Sequence, residues 1–168
     1  VPTTDPAATV AGCLAFFRQS QDRHGALRAL GIGCFGPLGL RRGSPDFGHV
    51  LDTPKRGWSG AAIVDPLSRG LGVPVALDTD VGAAALGEWR LGAGRGLGSL
   101  AYVTVGTGIG AAMAPQDAGV GRLLHPEMGH VPVRRDPRDT RFPGVCPFHG
   151  DCVEGLASGP AVRARWGC

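Results

Sequence analysis

The chain has 168 residues, a formal net charge of +3 and a hydrophobic share of 43%, a size that allows one domain or two small lobes. Glycine and proline, 29 and 14 residues, make about a quarter of it, near the level at which disorder sets in. The apolar share nevertheless supplies enough surface for a core, and no apolar run approaches the ~20 residues that span a bilayer.

No charged-then-apolar signal segment opens the chain. Five cysteines, an odd number, fit a reducing, cytoplasmic setting in which thiols stay free for metal. Cys13 and Cys34 lie in apolar stretches and read as small buried residues. Lys55 is the one lysine among 17 basic residues, and the only basic run, Arg134, Arg135, Arg138 and Arg141, reads as a solvated loop. Nucleic acid is therefore not an expected partner, and neither is a membrane.

In "TDPAATVAGCLAFF", Asp5 and Pro6 form a helix start, as N-cap and first helical residue, and Val10, Leu14 and Phe17 share one face. "ALGIGCFGPL" predicts a short apolar strand running into a Gly-Pro turn. Residues 40–58 show no period and read as a long loop, which is uncommon unless the loop has a use. Asp65 and Pro66 repeat the helix-start signal, "VPVALD" predicts a buried strand and "VGAAALGEWRLGAG" a helix of small residues. "SLAYVTVGTGIGAAM" reads as strand, glycine turn and strand, and "VEGLASGPAVRARW" as helix with a break at Gly159-Pro160. The alternation predicts an α/β protein. The glycine-rich "LGAGRGLGS" marks the expected boundary between lobes 1–91 and 92–168, and no internal repeat is visible.

Four motifs could carry chemistry. His130 and the C-x2-H-x2-C run Cys146, His149, Cys152 offer two thiolates and two imidazoles, a charge-balanced closed set for one structural Zn²⁺. An iron–sulfur cluster would need more cysteines, and a nucleic-acid zinc module more basic and aromatic residues between the ligands. "DTD" at 78–80 sits where a strand meets a helix, so one aspartate can cap and the other accept a proton from an attacking hydroxyl. "VGTGIG" at 105–110 is either an anion-binding glycine turn or a plain hairpin; it lacks the Gly-Lys-Ser/Thr ending of a Walker loop. "HPEMGH" places Glu127 three residues before His130, a pairing suited to polyol hydroxyls or simply a surface turn. Glu154 is either a third hydroxyl contact or the start of a helix.

In order along the chain, "GIGCFGPL", "TPKRGW", "LDTDVGAAALGE", "YVTVGTGIG", "HPEMGH" and "CPFHGDCVEGLASGPA" resemble the ROK family of bacterial sugar kinases, most of all its fructokinase branch. The resemblance covers nearly the whole chain. It implies an actin-like ATPase (ribonuclease H-like) fold of two α/β lobes, ATP and Mg²⁺ as cofactors beside structural Zn²⁺, and phosphoryl transfer to a hexose, fructose above others. By position, Asp80 matches the catalytic base, Glu127, His130 and Glu154 match sugar contacts, and Gly106, Thr107, Gly108 and Gly110 match the second phosphate loop. His130, Cys146, His149 and Cys152 match the zinc ligands, with His130 serving zinc through one nitrogen and sugar through the other. A homodimer is one possible assembly.

The chain departs from the family pattern in three places. The family's N-terminal Asp-x-Gly-Gly-Thr loop would lie upstream of Val1, the adenine-lobe segments would lie beyond Cys168, and Gly82 stands where an asparagine usually touches sugar. The expectation is therefore a central part of such a kinase, incomplete at both ends and inactive by itself. A sugar-binding or regulatory ROK member without kinase activity is the alternative; an unrelated zinc module would leave five motifs unexplained.

Overall fold

In the computed structural model, which describes residues 1–114 and 127–167, the chain divides into two units, Val1–Ala83 and Ala84–Cys168. The first opens with α1 (Pro6–His24), where the Asp5 carboxylate accepts a hydrogen bond from Ala8 N–H at 2.9 Å and Pro6 takes the first turn. Val10, Leu14 and Phe17 face the core, as their spacing predicts, and Cys13 and Cys34 are half-buried there. β1 (Leu30–Cys34) pairs in parallel with β2 (Val75–Thr79), in register from Leu30↔Val75 to Cys34↔Thr79. Both strands thus reach their carboxyl ends side by side.

α2 (Val64–Leu71) makes the crossover between them. It begins ahead of the expected Asp65 cap. The Gly48 carbonyl accepts from Ile63 and Val64 N–H at 2.8 and 3.2 Å, which satisfies two donors at the helix start that have no partner within the helix. Asp65 instead pairs with Arg69 one turn on, at 2.9 Å.

The 40–58 segment is sewn down rather than free. Leu38 bridges Val50 and His49 bridges Ala62, both antiparallel, while Leu51 N–H donates to Pro37 O at 2.8 Å. Single bridges of this kind impose no side-chain period, which is why the segment reads as structureless. Their result is a core of Leu30, Leu38, Val50, Trp58, Ile63, Leu67, Leu71 and Val73, with Val50 fully buried and Leu38 2% exposed.

In the second unit β3 (Leu100–Val105) and β4 (Ile109–Ala114) form an antiparallel hairpin, paired from Leu100↔Ala114 to Val105↔Ile109. A 3-10 turn at Met128–His130, α4 (Val153–Ala157) and α5 (Gly159–Trp166) follow. The break between the helices falls at Ser158, whose hydroxyl caps α5 by accepting from Ala161 N–H at 3.4 Å; Gly159 and Pro160 open the second helix. α3 (Asp80–Leu91) starts at the last residues of the first unit.

Leu38 lies where the bridged segment meets the strands, so truncation should leave a cavity. Leu38→Ala is expected to destabilise the protein by about 2–5 kcal/mol, read from the urea midpoint; a loss below about 0.5 kcal/mol, the range of surface changes, would show that this core is not assembled as described.

Candidate active site and metal cluster

Short-range geometry folds the ligand run in on itself. Cys146 and Gly150 form an antiparallel bridge with hydrogen bonds of 3.2 and 3.0 Å, turning His149 toward the cysteines. Cys152 bridges Pro132 and caps α4, its sulfur accepting from Gly155 N–H at 3.4 Å. His130 ends the 3-10 turn, whose buried Gly129 lies so close under the Ile109 carbonyl that a Cβ would clash with it.

Ligand atoms of His130, Cys146, His149 and Cys152 all lie within 4.8 Å of one another. Nδ1 of His130 is 3.6 Å from each of the two sulfurs, and Nδ1 of His149 is 3.8 Å from the Cys146 sulfur. Tetrahedral coordination with metal–sulfur and metal–nitrogen bonds of about 2.3 and 2.0 Å sets sulfur–nitrogen edges at about 3.5 Å. The four residues therefore fit one metal ion with no rearrangement of the backbone. Burial pushes the Cys152 thiol above its ordinary range, against the pull of Gly155 N–H, so a bound cation is what would hold it as thiolate.

His130 turns Nδ1 to the cluster and Nε2 toward Glu127, whose carboxylate lies 3.8 Å away. Glu127 adopts φ 43 and ψ 40, a left-handed conformation that costs a residue with a Cβ about 1–2 kcal/mol. Strain of this kind gathers at functional sites. His125 and Pro126, the start of the same motif, lie outside the described residues.

Glu154 does something that spacing could not reveal. Its Oε2 accepts from Ile109 N–H at 2.8 Å, 45 residues away, and stands 2.6 Å from where a Cβ on Gly108 would be. Gly159 N–H donates to Gly106 O at 2.8 Å. The turn of Gly106, Thr107, Gly108 and Gly110 thus rests on the α4–α5 junction with Thr107 exposed at its tip. Only a glycine at 108 leaves room for that carboxylate.

One arginine of the run read as solvated is structural. Arg135 pairs with Asp139 at 3.2 Å and Asp151 at 3.6 Å and donates to the Phe142 carbonyl. Arg165 of α5 reaches the same Asp139 at 2.9 Å and lies over the Phe142 ring at 4.4 Å. Arg138 keeps to the surface, paired with Asp136.

In the first unit Asp80 opens α3 just past the end of β2, exposed, its Oδ1 accepting from Val81 N–H at 2.9 Å. Neither aspartate of "DTD" makes the cap to the third residue. Thr79 does, its hydroxyl accepting from Gly82 N–H at 3.0 Å, while Asp78 accepts from Thr79 N–H at 2.7 Å. The threonine three residues before Gly82 was the available signal.

The family model described as the ROK family matches residues 1–168. The chain belongs to the ROK family. The fructokinase of Zymomonas mobilis is 45% identical over 99% of this chain and 56% of its own length, and that of Lactococcus lactis 38% over 98% and 54%. The chain thus spans about half the length of the curated relatives it matches. Among solved structures, a ROK hexokinase from Thermus thermophilus matches with TM-score 0.70 at 28% identity, covering 98% of this chain and 52% of that one. A ROK family glucokinase from Streptomyces griseus, in complex with glucose and AMPPNP, gives the same score and identity over 96% and 49%. The mixed α/β, actin-like ATPase fold implied by the motifs is therefore the fold this chain carries, over about half of a ROK kinase.

The Asp139 pairings generate a pH signature. The Arg165 hydrogen bond, with Arg135 beside it, holds the Asp139 carboxyl below its ordinary range. Such a group stabilises the fold above its unfolded pKa of about 4 and loses that contribution as pH falls through the lower folded value. Asp139→Asn should therefore lower the thermal midpoint at pH 7, and the gap from the parent should close as pH drops below the ordinary carboxyl range. A gap that stays constant with pH would mean that the pairs do not stabilise this loop.

Proposed function

We propose that the protein carrying this chain is a cytoplasmic ATP-dependent hexose kinase, with fructose the favoured sugar and fructose 6-phosphate the product. The observation that carries this reading is the likeness, over the whole chain, to relatives named fructokinase. No described helix is long and apolar enough to cross a membrane.

In this reading the Asp80 carboxylate takes the proton of the sugar's 6-hydroxyl as its oxygen attacks the γ-phosphorus of ATP. The bond from that phosphorus to the β–γ bridging oxygen breaks, and ADP leaves with the electron pair. Phosphoryl transfer needs placement and charge more than covalent help from the protein. The amides of the Gly106–Gly110 turn would face phosphate, and Glu127, Nε2 of His130 and Oε1 of Glu154 would hold sugar hydroxyls. Mg²⁺ bound with the nucleotide would supply charge neutralisation at the phosphates.

The metal of the second unit is read as Zn²⁺, because two thiolates and two imidazoles in a closed tetrahedral set match a structural zinc site. His130, Cys146, His149 and Cys152 would hold it. Its role would be to fix the loop that presents His130 and Glu154, since each is either a ligand or within two residues of one.

Metal analysis of protein purified without chelator should give one zinc per chain. Cys146→Ser with Cys152→Ser should abolish it; full zinc content in that double variant would exclude the assignment.

For the base, the full-length kinase with Asp80→Asn is expected to lose about 10²–10⁴ in kcat while its fructose affinity stays within threefold. Asp78 accepts a backbone hydrogen bond, and its replacement by Asn should cost far less turnover. If Asp78→Asn proves the more damaging change, the two roles are reversed.

A further inference from the structure

Lys55, the one lysine of the chain, has no part in the steps above. Its surroundings give it one. β1 and β2 stay in register through Cys34↔Thr79, so the next residues, Phe35 and Asp80, emerge together at the carboxyl edge of the parallel pair, where ligands gather in such sheets. The backbones are close at that edge: a Cβ on Gly33 would stand 3.4 Å from the Asp80 Cα.

A turn closed by Trp58 N–H to Lys55 O at 3.1 Å brings the lysine to the same edge. Its Nζ lies 3.9 Å from the centroid of the Phe35 ring and 5.9 Å from that of Trp58. The two rings meet edge to face at 5.0 Å, and Trp58, 3% exposed, is anchored through Nε1–H to Thr4 O at 2.9 Å.

An aromatic corner holds an ammonium in place without neutralising it. No carboxylate among the described residues lies within ion-pair distance of Nζ. The Cys34 thiol registers both charges at this edge: burial pushes it up, the Asp80 carboxylate adds to that, and the Lys55 ammonium works against it.

We propose that Lys55 is an anion-binding residue of the Asp80 site, its ammonium held on Phe35 and Trp58 to take the phosphate of a sugar phosphate. The assignment of the phosphate to the reaction product rests on the kinase reading. The phosphoryl group must arrive at the oxygen from which Asp80 removes a proton, so the new ester stands at this edge. It carries about −1.5 to −2 charges at pH 7, as phosphate monoesters do. A neutral sugar gives the ammonium little to attract, so the effect is selective for the phosphorylated form.

The test is calorimetric titration of the full-length polypeptide with fructose, fructose 6-phosphate and inorganic phosphate, for the parent, Lys55→Met and Lys55→Arg. Methionine keeps an apolar stem on the two rings and removes the charge, so folding is preserved and the thermal midpoint reports it. The expected result for Lys55→Met is at least tenfold weaker fructose 6-phosphate binding, with fructose binding within twofold of the parent. Lys55→Arg should recover most of the loss, and the parent's advantage should shrink at high salt.

Equal weakening of fructose and fructose 6-phosphate in Lys55→Met would make the lysine a packing element and overturn the proposal. So would unchanged affinity for the phosphate ester, or a parent that binds no fructose 6-phosphate. The kinase reading is judged separately, by ADP release from the parent with fructose, ATP and Mg²⁺. Binding selectivity without turnover would remove that reading and keep the anion site; turnover without the selectivity would do the reverse.

Discussion

Ile109 N–H donates to the Glu154 carboxylate at 2.8 Å, and the way the second unit joins its hairpin turn to α4 depends on that bond. A hydrogen bond to a charged group contributes about 1.5–3 kcal/mol, which adds to the Gly159 N–H to Gly106 O bond in fixing the glycine turn. The carboxylate is fixed in its own right, in the first turn of α4, where the helix N-terminus favours negative charge. Yet α4 is five residues long, and an isolated helix of that length does not persist. It is held by the Cys152 cap and by Val153 N–H to Val131 O and Val145 N–H to Gly155 O, at 3.1 and 2.9 Å. The order of dependence runs from the four-residue cluster to α4, then to Glu154, then to the turn. Oε2 is the oxygen committed to Ile109, so one side chain ties α4 to the turn.

In the first unit the corresponding constraint is the register of two parallel strands. Because β1 and β2 end together, everything attached to their carboxyl ends is brought to one edge whatever its position in sequence. The bridged segment 37–63 supplies the third part, and Val50, fully buried between the bridges, fixes its path. A charged residue on an unanchored loop of that length would spend most of its time elsewhere. Lys55 is held because Trp58, three residues on, belongs to the core.

Local rules made the helices and the ligand run legible. Asp5-Pro6 starts α1 where the capping signal says, and the C-x2-H-x2-C spacing needs only one bridge, Cys146–Gly150, to bring its residues together. Order of motifs identified the family. What could not be read was set by partners distant in sequence. α2 begins early because of the Gly48 carbonyl. Arg135 leaves the solvent because Asp139, Asp151 and Phe142 surround it. Glu154 meets Ile109 across 45 residues, and no periodicity encodes such a pairing.

Gly82 shows how a departure from the family pattern is absorbed by its neighbours. A Cβ at that position would come within 2.5 Å of the Asp78 Oδ1, so a side chain at 82 and the present rotamer of Asp78 exclude one another. The Asp78 carboxylate fills the space beside the first turn of α3, accepting from Thr79 N–H, and Thr79 in turn caps Gly82 N–H. The turn is therefore closed by a chain of two side-chain-to-backbone hydrogen bonds in place of a side chain at 82. The backbone of α3 sits directly on the Thr79 hydroxyl at 3.0 Å, one residue before Asp80. The Asp80 carboxylate itself accepts from Val81 N–H at 2.9 Å, so the same first turn that Thr79 caps also holds Asp80.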